Sequence, residues 1–85
     1  MSKEEKLISR LLSLPKDFTF DELSTLLRRL GFDASNKGAT SGSRVAFTHK
    51  ETETLILVHK PHPRKEIRIS ALKEVLRILK EKNFI

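Results

Sequence analysis

Cysteine is absent from this 85-residue sequence, which excludes a disulfide framework and any thiolate-held zinc or iron–sulfur centre. Such a chain has no need of an oxidising compartment and suits a reducing cytoplasm. Tryptophan and tyrosine are absent as well, leaving five phenylalanines. Most of these stand at positions expected in the core, so an open platform for stacking single-stranded bases is not expected. Long apolar runs are also missing. The longest, Leu55-Ile56-Leu57-Val58, falls far short of the ~20 residues that span a bilayer, so no membrane partner is expected. The start, Met1-Ser2-Lys3-Glu4-Glu5-Lys6, is charged and does not lead into the apolar stretch of a secretory signal. A single small domain over residues 1–85 is expected, burying roughly 60% of its unfolded surface. That excludes a large enzyme with a deep cleft.

The charge that is present is uneven. Residues 1–36 hold six basic and six acidic side chains, whereas residues 37–85 hold eleven basic and five acidic, so the whole excess of +6 lies in the second stretch. A surplus of this kind favours polyanions such as nucleic acid, or an acidic protein surface. A solvated basic face kept for solubility is the alternative at this point.

Local signals order the chain. Ser2 and Glu5 stand three apart as a capping box, Leu7, Ile8, Leu11 and Leu12 recur at helical spacing, and Pro15 stops the run near Leu14. Thr19 and Glu22 form a second capping box, with Phe18 placed to staple onto Leu23. Leu23, Leu26, Leu27 and Leu30 make one stripe, and Gly31 stands where a left-handed residue ends a helix. From Phe32 the period changes to two. A short strand over Phe32 to Ser35 runs into the loop 36–42. A second strand follows with Val45 and Phe47 inward, so that Arg44 is expected on the face opposite the core. Thr54 to Val58 reads either as a central strand with both faces covered or as the partner of a hairpin. His59-Lys60-Pro61-His62-Pro63-Arg64-Lys65 is a basic loop, because its prolines forbid helix. Ser70 is expected to cap a last helix with Leu72, Val75, Leu76 and Leu79 inward. The expected class is α+β: a three-stranded antiparallel sheet with helices on one face.

Several pieces of this order match a known family. A helix ending Leu30-Gly31-Phe32, then Lys37-Gly38, Gly42-Ser43-Arg44-Val45-Ala46-Phe47, a hairpin, and a proline-bracketed histidine ahead of the last helix resemble the HicA-type toxins of toxin–antitoxin modules. The resemblance covers residues 19–83, with residues 1–15 as an N-terminal helical extension. It implies a double-stranded-RNA-binding-domain-like α-β-β-β-α core, mRNA interferase activity (cleavage of messenger RNA) and a HicB-type antitoxin as partner. In that family a histidine follows the Gly-Ser dipeptide and is taken to be catalytic. Here Arg44 stands in its place.

The exchange has chemical consequences. Cleavage of RNA without a metal needs a base for the 2′-hydroxyl proton, an acid for the leaving oxygen, and positive charge for the phosphate. Histidine, with an ordinary pKa of about 6.5, can move the protons. Arginine cannot, and can only bind phosphate or stabilise the transition state. His59 and His62 are therefore the candidates for proton transfer beside Arg44, or else ordinary strand-end and turn residues. His49 reads as a solvated turn residue. A zinc site on His59 and His62 lacks further ligands, and Glu51 and Glu53 occupy a hairpin turn, so no metal and no other cofactor is expected. Lys37, Arg44, Lys60, Arg64, Lys65 and Arg68 form the candidate RNA-binding set, placed to meet backbone phosphates by shape. A non-catalytic RNA-binding module and a protein-interaction domain for an acidic partner remain as alternatives. The Leu-rich first helix reads either as a homodimer contact or as packing on its own domain.

Overall fold

The computed structural model describes residues 3–35, 44–61 and 64–85, with Arg44 described through its backbone. The elements run α1 (Lys3–Leu12), α2 (Phe20–Arg29), β1 (Asp33–Ser35), β2 (Arg44–His49), β3 (Thr54–His59) and α3 (Ile69–Glu81). This is an α+β fold in which an α-β-β-β-α core, consistent with a double-stranded-RNA-binding domain, carries an additional N-terminal helix.

The helices follow their sequence signals closely. In α1, Glu4 and Glu5 occupy the first turn and Arg10 the last, matching the helix dipole at both ends. Leu7 and Leu11 are buried against the rest of the domain while Leu12 is left exposed, so the helix packs on its own domain. It ends in a left-handed Leu14, whose amide bonds back to Leu11, just before Pro15. Ser2 lies outside the described residues. At the start of α2 the capping box is complete: Thr19 Oγ1 accepts from the Glu22 amide at 3.1 Å and Glu22 Oε1 accepts from the Thr19 amide at 3.0 Å. Phe18 and Leu23 are both fully buried, as the staple requires.

One device ends both α2 and α3. Gly31 takes φ +101° and donates to the Arg28 carbonyl, while Phe32 donates to the Leu27 carbonyl at 2.9 Å. This paired closure reverses the chain into the sheet. At the other terminus Asn83, with φ +63°, donates to Lys80 and Phe84 donates to Leu79 at 2.8 Å. Asparagine tolerates the left-handed region better than most residues with a Cβ. Both reversals deliver a phenylalanine to the same place: Phe32 and Phe84 have ring centroids 5.0 Å apart, and His49 lies 5.3 and 4.8 Å from them. A Cβ on Gly31 would stand 2.9 Å from His49 Nε2, so glycine is required there twice, by backbone conformation and by space.

The sheet has the order β1-β2-β3 and is antiparallel throughout. Its inner face supplies Val45, Phe47, Ile56 and Val58 to a core completed by helix residues such as Leu26, Leu27, Leu72, Val75 and Leu79. β3 is an edge strand and hairpin partner whose second face is open: Leu55 and Leu57 remain 52% and 56% exposed. Central burial on both faces therefore does not hold for Thr54 to Val58. α3 begins earlier than Ser70 suggested. Arg68 occupies the N-cap position and makes no side-chain capping bond.

A contact between distant segments fixes the end of the basic loop. The Phe20 amide donates to the Lys65 carbonyl at 2.9 Å and the Ile67 amide to the Phe18 carbonyl at 2.8 Å, around a Thr19–Glu66 bridge. Residues 65–67 are thus tied to the entry of α2.

Candidate nucleic-acid interface

The sheet register brings the start of β2 to the end of β3, where Arg44 and His59 are directly paired. Opposed residues of antiparallel strands have Cα atoms about 4.5–5.5 Å apart. This juxtaposition of Arg44 with a second ionisable residue follows from the hairpin register. His59 is exposed and lines a cleft of about 470 Å³ whose floor includes Ile67 and Ala71 and whose rim includes Arg64, Arg68 and Ser70. The N-terminus of α3 opens at this cleft, and its dipole adds to the positive field of the two arginines. Glu66 is the carboxylate among the lining residues, and its Oε2 accepts the Lys65 amide at 3.1 Å.

On the other side of the strand end, Lys60 lines a second cleft of about 240 Å³ between α2 and the sheet. Its ammonium lies 5.7 Å from the centroid of the Phe20 ring. The expectation about the phenylalanines holds for Phe18, Phe32 and Phe47, which are buried in the core. Phe20 and Phe84 are half-buried, and the Phe20 ring lines this second cleft.

Of the predicted RNA-binding set, Lys60, Arg64, Lys65 and Arg68 are all exposed and lie around this end of the sheet and the adjoining loop. Among the described residues none of the four forms an ion pair. Other cations are already engaged. Arg10 bridges Asp17 at 3.0 Å and Glu22 at 3.3 Å and lies over the Phe18 ring, which ties α1 to α2. Arg77 is held by Glu74 and Glu81 along α3. Its hydrogen bond keeps the Glu74 carboxyl below the ordinary carboxylate range, and Glu74 in turn raises the Arg77 guanidinium above its usual value. Lys37 and His62 lie outside the described residues.

His49 is remote from this site. It is five residues from Arg44 along β2, about 16 Å at the usual strand rise. Its ring is half-buried between Phe32 and Phe84, and its Nδ1 accepts the Thr52 amide at 3.3 Å. The expectation of a solvated turn residue gives way to a packing role. The signal that would have shown it is the pairing of two left-handed helix ends, at Gly31 and Asn83, each followed by phenylalanine.

Among the described residues, no three His, Asp or Glu side chains come together as a metal-holding group, and no helix is long and apolar enough to cross a membrane. What the arrangement offers chemically is a concentration of cations at a strand end with an imidazole among them. This suits an oxyanion such as a phosphodiester. Comparison with known proteins adds one finding: the family described as HicA toxin of bacterial toxin–antitoxin matches residues 20–81, well over half of the chain. No curated protein and no solved structure matches it.

Proposed function

The chain belongs to the HicA toxin family, and from that premise we propose that it is a toxin that binds structured RNA with the cationic end of its sheet and cleaves messenger RNA there. The observation that carries this reading is the Arg44–His59 register pair beside the cleft rimmed by Arg64 and Arg68. In the proposed step His59 takes the proton of a 2′-hydroxyl as that oxygen attacks the adjacent phosphorus. The bond to the 5′-oxygen breaks, and the leaving oxygen takes a proton from His62 or from water. Arg44 binds the phosphate and opposes the charge that grows on it in the transition state. Lys37, Lys60, Arg64, Lys65 and Arg68 hold the flanking phosphates. The chemistry asks for no metal or other cofactor. A HicB-type antitoxin is the protein partner, and the cytoplasm, where messenger RNA is met, is the site of action. For a homodimer through α1, exposed Leu12 is the residue left over by the helix's own packing.

A second reading is favoured by one observation. Arginine at position 44 cannot transfer protons at neutral pH, so the chain would keep RNA binding and lack cleavage. Induced expression separates the two. The proposal expects growth arrest by the wild type and its relief by Arg44→Ala. A wild type that leaves growth untouched while Arg44→His arrests it would establish the binding module instead.

A further inference from the structure

The cleft between α2 and the sheet has a composition that phosphate binding alone does not require. Its walls combine the Phe20 and Phe47 rings and Ala34 with Ser24, Arg28 and Lys60. Phe20 packs one way against Phe47, with centroids 6.1 Å apart, inside the range of an ordinary aromatic pair. Lys60 Nζ stands over the ring at 5.7 Å, within cation–π range. A ring bearing an exposed lysine in this way is accessible to other polar, flat groups as well.

We propose that this cleft seats one unpaired nucleobase of the bound RNA, stacked on Phe20, with Ser24 and Arg28 reading its edge and Lys60 moving to the adjoining phosphate. The proposal rests on the RNA reading above and adds a base-binding subsite to it. The volume of about 240 Å³ lies below the range of roughly 300–1,000 Å³ typical of drug-sized ligand pockets. It suits one ring system and is too small for a base pair. Location supports the same conclusion. Val45, which also lines the cleft, follows Arg44 in β2, and Lys60 follows His59 after β3, so the subsite adjoins the proposed cleavage position along both strands. Ser24 offers a hydroxyl that both donates and accepts, and Arg28 offers donors only. An edge rich in acceptors, such as that of guanine with its O6 and N7, fits this pair better than one rich in donors.

The test compares single-stranded hexanucleotides of A, C, G or U with a sugar–phosphate hexamer of equal charge that lacks bases, by anisotropy and by NMR of ¹³C-labelled phenylalanine. A blunt RNA duplex is measured in parallel. The base-bearing hexamers should bind about tenfold tighter than the abasic one, an increment within the range of a single base–aromatic stack, with the G hexamer tightest and the Phe20 ring resonances shifting. Phe20→Leu should remove that difference and leave duplex binding intact. If Phe20→Leu does not fold, Ala34→Leu serves in its place, since Ala34 is exposed on β1 and a larger side chain there fills the cleft. Equal binding of base-bearing and abasic hexamers overturns the subsite. If the duplex still binds, the RNA reading stands without it, and if neither hexamers nor duplex bind, both fall.

Discussion

Replacing Lys60, Arg64 and Lys65 together by alanine is the most quantitative probe of the cationic end of the sheet. All three side chains are exposed, and the bond that anchors this loop uses the main-chain carbonyl of Lys65, so the fold should survive. Each phosphate neutralised by a lysine or arginine makes log K fall with log salt by a slope of about 0.9 on a duplex. Removing three such contacts should therefore make the slope shallower by about 2.7. Between about 50 and 200 mM salt, a fourfold change, the wild type should lose roughly 40-fold more affinity than the variant, which is four raised to that difference. Fluorescence anisotropy of a labelled RNA hairpin at several salt concentrations measures both slopes, and far-ultraviolet circular dichroism checks that the variant is folded. A folded variant whose slope lies within about one contact of the wild type, a change below about 0.9, would refute the assignment of these side chains to phosphates. So would a wild type whose affinity does not respond to salt.

Three further outcomes follow from the geometry. Gly31→Ala places a Cβ 2.9 Å from His49 Nε2 at a φ of +101°, and should lower stability by about 1–3 kcal/mol in thermal or urea unfolding; an unchanged midpoint would show that His49 yields without cost. Thr19→Ala removes the acceptor for the Glu22 amide and should cost about 1 kcal/mol by the same assay, whereas a loss near zero would mean that water replaces the cap. The Glu74 carboxyl, lowered by its bond to Arg77, favours the folded state above the unfolded-state pKa and loses that contribution as pH falls through the folded one. NMR titration should find it below the ordinary carboxylate range and returned to that range in Arg77→Ala, and a midpoint that ignores Arg77 would contradict the pairing.

Much of this fold was legible because its local rules agree with its global arrangement. The capping box at Thr19 and Glu22, the stripe of Leu23, Leu26 and Leu27, and the reversal at Gly31 each depend on residues within one or two turns of one another. The order of elements and the α+β class follow from them. What was not legible depends on partners far along the chain. The exposed face of Leu55 and Leu57 could not be separated from a doubly covered strand, since their side chains would look the same in either setting. His49 looked solvated because the phenylalanines that enclose it, Phe32 and Phe84, come from the ends of two different helices. Ser70 resembled a cap, yet pairing of residues 65–67 with 18–20 accompanies an α3 that starts at Ile69. The cationic residues were legible as a set, but the direct pairing of Arg44 with His59 needed the register. The half-open Phe20 needed the packing.

The central claim, that His59 moves protons at a phosphate bound beside Arg44, is tested most directly by incubating the purified chain with messenger RNA in EDTA and analysing the ends of the products. Cleavage should proceed, leave 2′,3′-cyclic phosphate termini, and slow by a factor of about 10²–10⁴ in His59→Ala, the usual range for a lost general base. RNA that is bound but remains intact, or cleavage at the wild-type rate by His59→Ala, would contradict it.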